Sequence, residues 1–111
     1  MKTGDTVGSF FFEGLARVCK GEEWFHVHID NAPAYEQKFG WVGSFSEGLA
    51  EACKNGKWFH IHHDGTPAYE QRFDWVGPFS NGIALVKEGN RWFHIHHNGT
   101  IVSNLRLVKV S

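Results

Sequence analysis

Short apolar runs separated by polar turns recur along the chain. In its middle third, the apolar run Leu49–Cys53 is followed by polar Lys54–Lys57 and then by an aromatic and β-branched run, Trp58–His63. Asn-Gly between two such runs is a strong signal for a β-hairpin, and the second run suits a strand. A third strand is predicted over Pro67–Phe73. Its first residue is a proline, which is tolerated at the start of a strand. No window shows a helical period, so the pattern predicts an all-β protein with about three short strands per unit.

The same pattern occurs three times, at an offset of 34 residues. Residues 14–45 and 48–79 agree at 20 of 32 positions, and the third copy diverges after Thr100, as a terminal repeat is expected to do. We therefore predict one domain over residues 1–111, a tandem array of three β-hairpin or three-stranded repeats. The predicted repeats are residues 7–41, 42–75 and 76–111. The sequence leaves open whether the array is an open, solenoid-like sheet or closes with pseudo-threefold symmetry.

The repeated blocks resemble the bacterial WG (KWG-type) repeat. In the second copy the matching stretches are Phe45–Ala50, Lys54–Trp58 and Asp64-Gly65. The glycine that usually follows the tryptophan is replaced in every copy by a phenylalanine: Phe25, Phe59 and Phe93. The resemblance implies a β-rich array that acts in binding, and it implies no common catalytic activity.

Charge and hydropathy narrow the classes of partner. The net charge is −1 and there is no basic surplus, which argues against a nucleic-acid partner. No apolar run approaches the roughly 18 residues of a membrane span, and the N-terminal sequence has no signal-peptide pattern. We therefore expect a cytoplasmic protein without a membrane partner. In that compartment Cys19 and Cys53, at equivalent repeat positions, are expected to be reduced and largely buried.

Histidines supply the most distinctive candidate chemistry. Six of the eight form three His-x-His pairs: His26 and His28, His60 and His62, His94 and His96. Residues i and i+2 of a strand point to one face, so each pair offers two ligands to a divalent transition metal such as Zn²⁺ or Ni²⁺. Zinc needs four ligands, or three and water. Equivalent strands of an open array lie about 14 Å apart at ~4.8 Å per strand, so only a closed array would pool the pairs.

The same histidines also fit a surface role without metal. Alternation along the strand assigns Phe59, with its equivalents in the other copies, to the core. It assigns Trp58, His60 and His62 to an exposed or half-exposed face, which all three copies inherit by duplication. The candidate ligand-surface residues are Trp24, Trp58, Trp92, His63 and His97.

The leading functional hypothesis is a non-catalytic binding module with a protein partner and no cofactor. The alternative is a transition-metal-binding protein that uses the His-x-His pairs. An enzyme is not expected, because catalysis needs an asymmetric constellation of groups and repetition distributes residues symmetrically. An open array would also favour a homo-oligomer, since its ends expose unpaired backbone groups. The apolar cluster Phe10-Phe11-Phe12 is expected either to cap the first repeat or to contact another chain.

Overall fold

All regular structure in the described part of the chain is β-structure. The computed structural model describes residues 5–7 and 11–103. Three antiparallel sheets of three strands follow one another, with orders β1-β2-β3, β4-β5-β6 and β7-β8-β9. The strands are β1 (Asp5–Val7), β2 (Ala16–Lys20), β3 (Glu23–Val27), β4 (Trp41–Val42), β5 (Ala50–Lys54), β6 (Lys57–Ile61), β7 (Trp75–Val76), β8 (Ala84–Glu88) and β9 (Arg91–Ile95). The predicted all-β array of three-stranded units is confirmed.

The array is open. Among the described residues no strand of one sheet joins the ladder of another, so the three sheets stand in tandem without closing on themselves. The sheets begin at β1, β4 and β7. The repeat boundaries drawn from the sequence, after residues 41 and 75, fall inside β4 and β7.

Tight turns with left-handed residues connect the strands. Asn55 and Gly56 join β5 to β6 with φ of 56° and 80°, the type I′ geometry that matches the twist of a hairpin. The same left-handed pair precedes the central strand of every sheet, at Glu13-Gly14, Glu47-Gly48 and Asn81-Gly82. Around the second of these turns, Ser46 and Leu49 exchange both backbone hydrogen bonds.

The strand predicted over Pro67–Phe73 is wrong. Only the two ends of this segment form β-bridges with β6: Pro67 pairs with Ile61, and Phe73 pairs with Trp58. The Ala68 amide donates to the His60 carbonyl. Five residue steps from Ala68 to Phe73 therefore face two steps on β6, and the residues between them bulge away from the ladder. The third strand of each sheet is instead the short strand that precedes the hairpin.

Phenylalanines on the inner face of the hairpins build the core. Phe25 and Phe59 are buried, as predicted, whereas Phe93 in the last unit is half-buried. Edge-to-face aromatic pairs continue the core from one unit to the next. The ring centroids of Phe39 and Phe59 lie 6.1 Å apart, and those of Phe73 and Phe93 lie 6.0 Å apart.

The cysteines and the N-terminal phenylalanines were singled out by the sequence. Cys19 and Cys53 are unpaired, as expected, but half-buried rather than buried. Phe10 lies outside the described residues, while Phe11 and Phe12 are exposed at 41% and 45%. No helix long and apolar enough to cross a membrane occurs in the described ranges.

Candidate binding surface

Buried histidines join consecutive units through paired hydrogen bonds. His26 Nε2 lies 2.8 Å from the carbonyl oxygen of Gly43, and its Nδ1 lies 2.6 Å from the Tyr35 hydroxyl. A carbonyl only accepts, so Nε2 carries the proton and Nδ1 accepts from the tyrosine. His60, Tyr69 and Gly77 repeat this arrangement at the same distances. Because each glycine follows the first strand of the next sheet, the hydrogen bond ties one unit to its successor.

The expected exposure of the Trp/His face is wrong for His26 and His60, which are both fully buried. The cover comes from the following unit, whose Phe45 and Phe79 rings lie 4.4 Å from the respective imidazoles. Burial lowers the pKa of both imidazoles to about 4, outweighing the glycine carbonyl bond that acts to raise it. Both side chains are therefore neutral at physiological pH.

The two histidines of a pair are not both available to a metal ion, as the metal hypothesis requires. His28 and His62 follow the ends of β3 and β6 and are exposed, while their partners are buried with both ring nitrogens in hydrogen bonds. In the third copy His94 is half-buried and His96 exposed. Within the described residues no three His, Cys, Asp or Glu side chains are grouped to hold a metal ion. The metal hypothesis thus gains no support from the geometry.

His63 and His97 belong to a ladder of contacts between units. The His63 ring packs edge-on against Phe45, with ring centroids 4.5 Å apart, and its Nε2 lies 2.8 Å from the Glu13 carboxylate. That carboxylate also accepts from the Gly48 amide. Burial acts to raise the pKa of Glu13, but the bonds from His63 and Gly48 leave it lowered. The next rung repeats these contacts with Glu47, Gly82, Phe79 and His97.

The tryptophans form a second row in two segments, which together are the tryptophan face: Trp24, Trp41 and Trp58 make one segment, and Trp75 and Trp92 the other. Ring centroids are 6.3 Å apart for Trp24 and Trp41, 5.4 Å for Trp41 and Trp58, and 5.8 Å for Trp75 and Trp92. Exposure increases along the row, from half-buried rings to 38% for Trp75 and 54% for Trp92. The Arg17 guanidinium lies 5.1 Å and 5.5 Å from the Trp24 and Trp41 centroids, so a cation already occupies this face.

A groove of about 390 Å³ opens beside Trp41 of the tryptophan face and is lined by residues of all three units. Glu51 is the acidic side chain in its lining. The carboxylate of Glu51 lies over Gly43, where a β-carbon would overlap it, and burial raises the pKa of this carboxyl. The equivalent residues in the first and third copies are Arg17 and Leu85, so this feature occurs once. Residues that line the groove include Phe12, Arg17, Trp41, Phe45, Glu51 and Pro78.

Comparison with known families agrees with this architecture. A family model described as a WG containing repeat matches residues 5–24, 36–58 and 61–92, more than half of the chain. The chain belongs to the WG repeat family. A comparison with curated proteins gives no significant match. WG repeat membership thus accounts for the three tandem units and leaves the ligand to be argued from the surface.

Sequence reasoning placed Trp24, Trp58 and Trp92 on a common face but missed other members of this WG repeat surface. Trp41 and Trp75 are themselves repeated, and this repetition was the available signal. Arg17 and Glu51 were passed over because repeats draw attention to positions that match. The groove lies at a position where the three copies differ. Its residue is Arg17 in the first copy, Glu51 in the second and Leu85 in the third.

Proposed function

We propose that this WG repeat protein is a non-catalytic binding module that recognises a protein partner through the tryptophan face. The observation that carries the proposal is the row of tryptophans with Arg17 between its first two rings. Tryptophan and arginine are the side chains most enriched at protein interfaces and their energetic hot spots. Each tryptophan ring offers a large apolar area for contact with a partner, and such a ring recurs in every unit of the array.

The surroundings of the face support binding rather than catalysis. The His–Tyr–Gly and Glu–His contacts recur from unit to unit, and their polar groups are engaged in holding units together. Exposure of the row is greatest at Trp92, where 54% of the side chain is free to contact a partner. A net charge of −1 favours neither a phosphate backbone nor an anionic membrane.

The test compares two variants of the purified chain. Trp75→Ala with Trp92→Ala removes the exposed end of the face, and Ile29→Ala removes an exposed apolar side chain from the far end of β3, where Ile29 is 82% exposed. Proteins retained from a host extract by the wild type and the Ile29 variant, but lost with the tryptophan variant, are identified and purified. Calorimetry should then show binding to the wild type that is weakened at least about tenfold in the tryptophan variant. Equal affinity for that variant, in a protein with unchanged circular dichroism, would overturn the proposal.

A further inference from the structure

The groove beside Trp41 has the chemistry to select a positively charged side chain. Resting on the proposed function, we propose that it receives a lysine or arginine of the partner protein. The aliphatic stem of that residue lies against Trp41 and Phe45, and its cationic end pairs with the carboxylate of Glu51. The partner surface that meets the tryptophan face is therefore basic at its centre.

The first support is the state of the Glu51 carboxylate. Only 9% of this residue is exposed, yet no cation within the described residues forms an ion pair with it. Apart from its own backbone amide, no group there donates a hydrogen bond to it. Burial disfavours the charged form of this carboxyl, and the charge of Arg17 and the residue's own amide offset only part of that effect. A cation that brings its own hydrogen-bond donors adds a charge-assisted bond that the fold does not supply.

The second support is the wall of the groove. Phe45 is buried, Trp41 is half-buried, and Phe12 at the mouth is 45% exposed. Such a wall suits the methylene stem of a long basic side chain, which packs on apolar surface while its end stays polar. Arg17 provides a precedent on the same face, because its guanidinium lies between Trp24 and Trp41.

Arg17 does not itself occupy the position proposed for the ligand. Its Nη1 donates to the Val42 carbonyl at 3.2 Å, and no ion pair between its guanidinium and Glu51 is present. Burial raises the pKa of Glu51, and the charge of Arg17 acts against that rise without forming an ion pair. Because Arg17 and Leu85 stand at the positions equivalent to Glu51 in the other units, the chain has one such site.

Short peptides test the proposal directly. The probes are acetyl-Gly-Ser-Xaa-Ser-Gly-amide with lysine, arginine or norleucine at Xaa, followed by the NMR signals of the Trp41 indole and the Gly43 amide. Saturable shifts with the lysine or arginine peptide, and binding at least about tenfold weaker with norleucine, are expected. Glu51→Gln should weaken the basic peptides by a similar factor, whereas Glu70→Gln, at an exposed glutamate outside the groove, should leave their affinity unchanged.

Three results would overturn this inference. They are the absence of shifts with both basic peptides, equal affinity for the norleucine peptide, and an unchanged affinity in Glu51→Gln. The peptide experiments do not involve Trp75 or Trp92. If they fail, loss of partner binding in the tryptophan variant would still support the proposed function. If the peptides bind as expected but the tryptophan variant keeps its partner, the proposed function is rejected and the groove's preference for basic side chains stands.

Discussion

Histidine acts as a core residue at positions 26 and 60. Alternation along β3 and β6 correctly places each histidine on the face opposite the buried phenylalanine. It does not reveal whether that second face is covered, because the covering rings of Phe45 and Phe79 come from the next unit. Strand periodicity reports which residues share a face. Burial of that face depends on contacts that no local pattern contains.

Replacement of His60 by alanine should destabilise the protein by about 3–5 kcal/mol, in contrast to the small cost expected of an exposed residue. The change removes a fully buried ring and leaves the Tyr69 hydroxyl and the Gly77 carbonyl without their partner. His62→Ala, two residues along and exposed, should change the free energy of unfolding by less than about 0.5 kcal/mol. Urea unfolding monitored by tryptophan fluorescence measures both. Equal, small effects would mean that His60 is solvated.

The core phenylalanines should differ in the same kind of experiment. Phe59 is 4% exposed in the middle unit, so Phe59→Ala should cost about 3–5 kcal/mol. Phe93 is half-buried in the last unit, and Phe93→Ala should cost clearly less, because part of its surface is already hydrated. Chemical denaturation of the two variants gives the comparison. A larger loss for Phe93 would contradict the placement of the core.

At the scale of the element, the sequence predicts the hairpins but not the segments that connect them. Asn55-Gly56 identifies its turn because both residues tolerate positive φ. Glu47-Gly48 is harder to recognise, since a glutamate at φ 57° is unusual. Its carboxylate reaches the Gly82 amide and His97 of the next unit, so the turn is supported by a contact outside itself. The bulged segment after Pro67 likewise follows from tertiary contacts, which hold Tyr69 against His60.

Two turn glycines should respond differently to alanine. Gly48 has φ of 83° and no atom within 4 Å of a β-carbon, so Gly48→Ala should cost about 1–2 kcal/mol from backbone strain alone. Gly65 has the same φ, but a β-carbon there would lie 2.7 Å from Cγ of Tyr35. Gly65→Ala should therefore cost about 1–3 kcal/mol more, because the tyrosine that bonds His26 must move. Thermal melts of both variants provide the test, and equal losses would show that Tyr35 yields without resistance.

At the scale of the whole molecule, the repeats predict the units and the interfaces between units determine the site. Offset comparison of the sequence was enough to give three β units in tandem. The open form of the array and the groove could not be read in the same way. Both depend on how Phe45, Gly43 and Pro78 meet the preceding unit, and the packing of one unit on another is not encoded in the pattern of either.

The two buried histidines should make the stability of the whole array depend on pH. Their folded-state pKa of about 4 lies below the ordinary value of 6.5. Above pH 6.5 both folded and unfolded states hold neutral imidazoles, and the stability is full. As the pH falls, the unfolded chain takes up protons that the folded protein excludes, so stability declines until the pH reaches about 4. Each histidine should account for a loss of about 3 kcal/mol across that window.

Urea unfolding at closely spaced pH values between 5 and 7 measures this dependence. His26 and His60 together contribute a limiting slope of about 2.7 kcal/mol per pH unit, since each proton contributes about 1.4. Glu51, whose pKa burial raises, acts in the opposite direction as the pH falls, so the measured slope is smaller. His60→Gln should reduce the slope by about 1.4 kcal/mol per pH unit, whatever its effect on absolute stability, because that histidine no longer titrates. His62→Ala should leave the slope unaltered.

Glu13 and Glu47, whose folded-state pKa values lie below 4.5, lower the stability only in more acidic solution and do not obscure the test. A stability that stays constant from pH 7 to pH 5 would mean that His26 and His60 titrate in the folded array as they do in the unfolded chain, and the two hydrogen bonds assigned to each imidazole would then be wrong.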